Sequence, residues 1–262
     1  MDESRSRRGA IWVLLILFIL LNAFNWWLST TSASRWQAIH LRWNYLYHVF
    51  FVVIPLLALL FGRSKAIVYG LTLHKWRADL VLGLCLAIPL IALPFIADGL
   101  LGEISVKPGV ARYGLINALV FQIFFVAFPE ELLYRGFFQG ELNRVFGRPY
   151  TLGATRFGLG LFVAAGLFGI AHLLNPFNPL RGSYGLDWVM FGTSAALGLV
   201  LGLVRERTGG LIAVSLLHLG IGLYPKLFVV RPPSGSAMLA AWLVAILVIV
   251  LAVRRSDRGV PG

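Results

Sequence analysis

Eight long apolar segments divide the chain, and they constrain its fold more than any other feature. They cover approximately residues 10–28, 45–62, 79–99, 115–141, 157–174, 188–204, 209–225 and 237–253. Runs of about 18 or more apolar residues are typical of membrane-spanning helices rather than of helices in a soluble core. We therefore expect an all-α, polytopic membrane helical bundle of about eight transmembrane helices, with residues 1–262 forming a single integral membrane domain.

The first segment also resembles a secretory signal, because Arg5, Arg7 and Arg8 precede it and small residues follow it. A signal core is usually about 7 to 15 residues, and this segment is longer. It ends in Trp26 and Trp27, whose rings favour the lipid interface. We expect it to remain as a helix.

The lysines and arginines are distributed unevenly between the two sides of such a bundle. With eight spans, fifteen fall on the side of both termini and seven on the other, and Arg135 lies within a span. Because positive charge accumulates on the cytoplasmic side, both termini are predicted to be cytoplasmic. The basic residues form short clusters rather than one patch, which argues against nucleic acid as a partner.

Five ionisable residues fall well inside the predicted spans. An ionisable side chain at that depth costs at least about 2.5 to 3.5 kcal/mol on insertion scales, so each needs a partner or a function. His48 lies at a span edge and is interpreted as interfacial, and Glu141 is interpreted as a solvated partner of Arg144. The five are Glu130, Glu131, Arg135, His172 and His218.

Glu131 and Arg135 are four residues apart with the acid first, the favourable orientation for an ion pair on a helix. Glu130 points about 100° away from Glu131 and is then left without a counter-ion, although Arg135 could instead serve both carboxylates. Pro129 precedes the pair and is expected to kink the helix, because proline removes a backbone hydrogen bond.

Glu130, His172 and His218 lie at roughly similar depths, about 14 to 22 Å from the cytoplasmic ends of their spans. A buried glutamate can take a proton from water and return it to a leaving amine, while imidazoles orient the water or donate to an oxyanion. The same three residues could hold zinc. Zinc would make Glu131 the base while it is paired with Arg135, so we favour hydrolysis without a cofactor.

Three motifs in this order resemble the CAAX protease and bacteriocin-processing family of intramembrane proteases. They are EELLYR (residues 130–135), FGIAH (residues 168–172) and His218 on a later apolar helix. The resemblance covers roughly residues 115–225, the expected catalytic core helices. It implies eight helices around a cavity within the membrane, with Glu130 as general base, Glu131 and Arg135 as structural residues, and His172 and His218 as the catalytic histidines. Phe168 is expected to support the site, because its spacing of four from His172 places an aromatic ring beside the imidazole.

The third motif departs from the family pattern. The family usually places Asn or Asp four residues after the histidine, and this chain has Gly222. Asn175, nearly one turn beyond His172, and Ser215, nearly one turn before His218, are candidates to contact the oxyanion or the water in its place.

The leading functional hypothesis is an intramembrane endopeptidase that cuts a membrane-associated protein or peptide near its C-terminus. The inner (cytoplasmic) membrane of a bacterium is the expected location. Two alternatives remain: a catalytically silent binding or immunity protein, which Gly222 supports, and a proton-coupled transporter, because buried Glu and His also form proton relays.

Overall fold

The computed structural model describes residues 3–62, 64–101, 103–174 and 185–231. Its α-helices are α1 (Glu3–Ser29), α2 (Ser32–His40), α3 (Tyr45–Phe61), α4 (Trp76–Leu101), α5 (Pro108–Tyr113), α6 (Leu115–Phe121), α7 (Phe128–Glu131), α8 (Gln139–Phe146), α9 (Leu159–Leu173), α10 (Trp188–Thr208) and α11 (Ile212–Leu227). Two π-helical segments, π1 (Gln122–Ala127) and π2 (Leu132–Phe138), join α6, α7 and α8 into one central helix, Leu115–Phe146.

The described strands are short and lie at the ends of helices. They are β1 (Glu103–Val106), β2 (Tyr150–Leu152), β3 (Thr155–Phe157) and β4 (Phe228–Arg231). β1 pairs antiparallel with β4, and β2 pairs antiparallel with β3. The expected all-α class is confirmed.

Four of the described helices are long and apolar enough to cross a membrane: Arg8–Ser29, Trp76–Leu100, Leu115–Phe146 and Trp188–Thr208. The helices α2 and α3 meet at an angle of 115°, and together they make a fifth span if the pair is taken as one broken span. The helices α9 and α11 are apolar but shorter. Helices thus occupy the first seven predicted spans. The eighth, residues 237–253, lies outside the described residues, so the count of eight and the placement of the termini stay predictions.

The outer faces of the helices carry large apolar side chains. Phe61 is 85% exposed, Leu60 75% and Val189 74%. Such surfaces are unfavourable in water and suit the acyl chains of a bilayer. The chain is an integral membrane protein.

The helices α9 and α10 approach each other closely at Gly198. A Cβ at this position would lie 2.9 Å from the Cα of Ala165, a distance that forces one of the two helices to shift. Small residues at such crossings let two membrane helices pack backbone against backbone. This contact determines where α9 carries His172.

An aromatic core packs beneath the central helix. Phe138 of π2 contacts Phe18 of α1 with ring centroids 6.0 Å apart, and Tyr134 contacts Phe51 of α3 at 6.2 Å and Phe168 of α9 at 5.0 Å. Edge-to-face pairs of this kind add about 0.5 to 1.5 kcal/mol each beyond area burial. The core therefore holds α1, α3 and α9 against the central helix.

The interpretation of Glu141 as a solvated residue is wrong. Its pairing with Arg144 is present at 2.8 Å, but Glu141 is only 8% exposed and also accepts hydrogen bonds from Tyr69, at 2.9 Å, and Ser64. Burial and the neighbouring carboxylate raise the pKa of Tyr69 above its usual value, so the phenol remains a donor. Glu141 is buried because the loop after α3 packs onto α8. The spacing of charges along the chain does not predict this packing.

Candidate active site

The central helix changes its winding on both sides of the acidic pair. Pro129 lies at the start of α7 and donates no backbone hydrogen bond, and its ring would collide with a carbonyl of the preceding turn in a regular α-helix. In π1 the turn is wider: the N–H of Phe128 donates to the carbonyl of Ile123, five residues earlier. The acidic pair thus lies between two π-helical segments, a feature frequent at functional sites, and the kink expected at Pro129 stays a prediction.

Glu131 accepts two hydrogen bonds on one oxygen. Arg135 Nη1 donates at 3.0 Å, at the spacing from which the sequence predicted the pair, and His218 Nδ1 donates at 2.7 Å. Glu131 is fully buried and Arg135 is 2% exposed, with its guanidinium 4.1 Å above the centre of the Phe168 ring. A buried carboxylate held in this way is neutralised and immobilised.

Glu130 is buried but is not neutralised by Arg135. Its Oε1 lies 3.7 Å from His48 Nε2, and its Oε2 lies 3.8 Å from His218 Nε2. Both distances exceed a hydrogen bond, and none of the described residues hydrogen-bonds to Oε2. Both carboxylate oxygens therefore retain acceptor capacity for a water or a substrate.

The three histidines around Glu130 share one tautomer when neutral. Nδ1 of His48 faces the carbonyl of Asn44 at 3.2 Å, and Nδ1 of His172 faces the carbonyl of Phe168 at 2.9 Å. Because a carbonyl or carboxylate oxygen only accepts, Nδ1 carries the proton in these rings and, through Glu131, in His218. Nε2 of each ring is then an acceptor.

The structure brings His172 and Phe168 together as expected from their spacing. Their rings lie 4.3 Å apart, and His172 is close enough to Glu130 and His218 to interact electrostatically with both. The Phe168 ring therefore contacts both the Arg135 guanidinium and the His172 ring.

His48, interpreted from sequence as an interfacial residue, also faces Glu130. The first turn of α3 packs against α7, which turns His48 toward Glu130, and its ring is also 5.3 Å from the ring of Phe121. A histidine at a span edge carries no sequence signal that separates this role from an interfacial one.

Gln122 is the second site residue that sequence reasoning missed. It belongs to π1, is 2% exposed, and none of the described residues hydrogen-bonds to its Oε1. A Cβ at position 222 would lie only 2.5 Å from its Nε2. The space that a side chain at Gly222 would need is thus taken by the Gln122 amide.

The two residues proposed from sequence to replace the missing Asn or Asp remain untested. Asn175 lies outside the described residues. The Ser215 hydroxyl is buried on α11 one turn before His218, and no hydrogen-bond partner for it exists among the described residues.

The zinc alternative from the sequence stays a hypothesis. Across residues 3–62, 64–101, 103–174 and 185–231, no three His, Cys, Asp or Glu side chains converge as metal ligands. Nδ1 of His172 and of His218 each have a fixed acceptor, which leaves Nε2 of each ring as the atom able to bind a metal, and Glu131 is committed to Arg135. We derive no step through a metal.

Comparison with known proteins gives a family for this region. Residues 113–224 match the model of the type II CAAX prenyl endopeptidase Rce1-like family, a segment that nearly coincides with the expected core of residues 115–225. No significant match occurs among curated proteins or solved structures. Three motifs, the helices that carry them and this match agree, and residues 113–224 are similar to the CAAX protease family of intramembrane proteases.

Proposed function

We propose that the protein hydrolyses a peptide bond near the C-terminus of a membrane-associated protein or peptide, using water activated by Glu130. The observation that carries this proposal is the division of labour between the adjacent carboxylates. Glu131 accepts hydrogen bonds from Arg135 and His218 on its Oε1, whereas Glu130 has His48 at 3.7 Å and His218 at 3.8 Å, both beyond hydrogen-bond distance.

The geometry supports a water between Glu130 and the imidazoles. Neutral His48 and His218 direct Nε2 acceptors toward an acceptor carboxylate, an unfavourable arrangement that a water relieves by donating one O–H to Glu130 and the other to an imidazole. The Nε2 of His172 is an alternative acceptor for that second O–H. Catalysis then starts from a positioned nucleophile.

Hydrolysis proceeds in two proton transfers. Glu130 takes a proton as the water oxygen attacks the carbonyl carbon, and a tetrahedral oxyanion forms. The C–N bond then breaks, and Glu130 returns the proton to the leaving amine, so the products are a new C-terminus and a free amine. His218 donates to the oxyanion only after its Nε2 gains a proton.

Glu131, Arg135 and Phe168 support the site without touching substrate. Glu131 holds the His218 ring, and Arg135 balances the Glu131 charge while packing on the Phe168 face. These contacts fix the imidazole that faces Glu130.

A CAAX-type tail is the substrate class that the family name suggests, and we leave open whether it is prenylated. We propose the bacterial inner membrane as the location, the bilayer and a membrane-associated peptide or protein as partners, and no metal or other cofactor. Cell fractionation tests the location, and activity in the presence of a chelator tests the metal.

The decisive experiment uses the full chain in proteoliposomes with two quenched fluorescent peptides, one ending in a prenylated CAAX sequence and one identical but unprenylated. Wild type should cleave at least one peptide, and Glu130→Gln should reduce turnover by about 10²-fold or more while leaving the unfolding midpoint unchanged. In parallel, the C-termini of the membrane proteome are compared between cells carrying each form. Equal cleavage by both forms, or no cleavage and no altered C-terminus, would contradict the proposal.

The same preparation separates the alternatives. A silent binding protein would retain a peptide without cutting it in both forms. A transporter would show a proton-dependent flux that Glu130→Gln abolishes.

A further inference from the structure

The Gln122 amide is a buried polar group that the mechanism above does not use. Its Oε1 is shielded from solvent and has no hydrogen-bond partner among the described residues. Buried amides are nearly always hydrogen-bonded in native structures, so this amide requires an explanation. Its Oε1 can only accept, so donation to a substrate oxygen falls to Nε2, the amide atom that lies against Gly222.

The position of the Gln122 amide relative to the site follows from the face of α11 that the amide contacts. His218 and Gly222 are four residues apart, and therefore lie on the same face of the helix one turn apart. Side chains on a helix lean toward its N-terminus. A side chain at position 222 would therefore lie over the preceding turn, which carries His218. The Gln122 amide occupies this space, 2.5 Å from where a Cβ of residue 222 would be.

The site needs a neutral hydrogen-bond donor at this location. Neutral His218 presents Nε2 as an acceptor, because Glu131 holds the proton on Nδ1. Glu130 is also an acceptor, and Arg135 is stacked on Phe168. A tetrahedral intermediate places negative charge on an oxygen that must be met by donors, and a side-chain amide supplies two N–H groups.

We propose that the side-chain amide of Gln122 donates to the substrate oxyanion, from the central helix rather than from α11. The proposal rests on the proposed function. Gly222 is then a required partner, because any larger residue there would displace the amide. The departure at Gly222 consequently relocates a catalytic donor to π1 and no longer supports a silent protein.

The first test is Gln122→Ala. Loss of one oxyanion donor should lower kcat by about 10²- to 10³-fold with little change in KM. Gln139→Ala is the matched control, because it removes a buried amide from the same central helix where it binds the carbonyl of Gly202 at 3.2 Å. This control should lower stability without lowering kcat in the folded fraction.

The second test exchanges the donor between the two helices. Gly222→Ala should reduce turnover when Gln122 is present, whereas the same change in a Gln122→Ala background should have no further effect. Gln122→Ala with Gly222→Asn should regain at least tenfold in kcat over Gln122→Ala alone. A structural role for Gln122 would not predict this rescue.

The outcomes separate this proposal from the proposed function. If Glu130→Gln is inactive while Gln122→Ala turns over like wild type, the Gln122 proposal is overturned and the peptidase stands. If wild type cleaves neither peptide and alters no C-terminus, the proposed function fails. In that case the unfolding midpoint of Gly222→Ala is compared with that of wild type. Equal midpoints would show that Gly222 and Gln122 are not in close contact.

Discussion

Glu130 and Glu131 are chemically identical neighbours with different environments. Their side chains diverge by about 100° around the helix, so one reaches Arg135 and the other faces two imidazoles. In a low dielectric, a charge without a counter-ion is costly, which makes such a residue a candidate for function rather than for stability.

The first residue-scale prediction concerns Arg135. Replacing it with Met keeps apolar packing on Phe168 but leaves the Glu131 carboxylate with His218 alone. Breaking a buried pair from one side should destabilise the protein by about 3 to 5 kcal/mol, measured by unfolding in detergent. Adding Glu131→Gln to Arg135→Met should recover part of this loss. A single variant as stable as wild type would show that the pair is not needed for the fold.

The second concerns His48. His48→Ala should lower turnover by about 10²-fold, since it removes an imidazole that faces Glu130, the proposed general base. His40→Ala is the matched control, because this exposed ring stacks on Trp36 and should be dispensable. Cleavage of the fluorescent peptide measures both, and equal rates for the two variants would assign His48 a packing role only.

At the scale of elements, the site is assembled by helices that approach closely. The helix α9 carries His172 and α11 carries His218, and the central helix widens in π1 and π2 as it passes between them. Close packing needs small residues at the crossing points, and wide turns re-aim the side chains between them.

The element-scale prediction compares two glycines of α10. Gly198→Ala places a Cβ 2.9 Å from the backbone of Ala165, whereas a Cβ at Gly192 meets nothing within 4 Å. The first change should cost about 1 to 3 kcal/mol through overpacking and reduce turnover by shifting α9. The second should be neutral or stabilising by up to about 1 kcal/mol, because Ala favours helix over Gly. Equal unfolding midpoints would contradict this contact.

At the scale of the whole molecule, the predicted orientation in the membrane rests on the eight-span arrangement, which puts fifteen basic residues on one side and seven on the other. The bundle carries exposed apolar faces, so both ends of each long helix must emerge into water or headgroups. Measuring on which side of the membrane each loop lies therefore tests the predicted topology directly.

The topology prediction uses cysteine labelling. With Cys85, the single native cysteine, changed to Ser, a cysteine at Arg112 should react with an impermeant maleimide in intact cells, and one at Lys75 should react only after permeabilisation. Both positions are exposed. The reverse pattern would invert the orientation, and labelling of both in intact cells would remove the eight-span arrangement.

The sequence alone determined the membrane class, seven helices of the described chain, and the pair of Glu131 with Arg135. These follow from local rules, since a long apolar run must satisfy its backbone within one helix and a spacing of four places two side chains on one face. Only the tertiary structure decided that His48 joins Glu130, that Glu131 binds His218 from 87 residues away, and that Gln122 fills the space above Gly222. Each of these depends on how two helices cross, and crossing geometry is decided by packing between distant segments, which no spacing within one segment encodes.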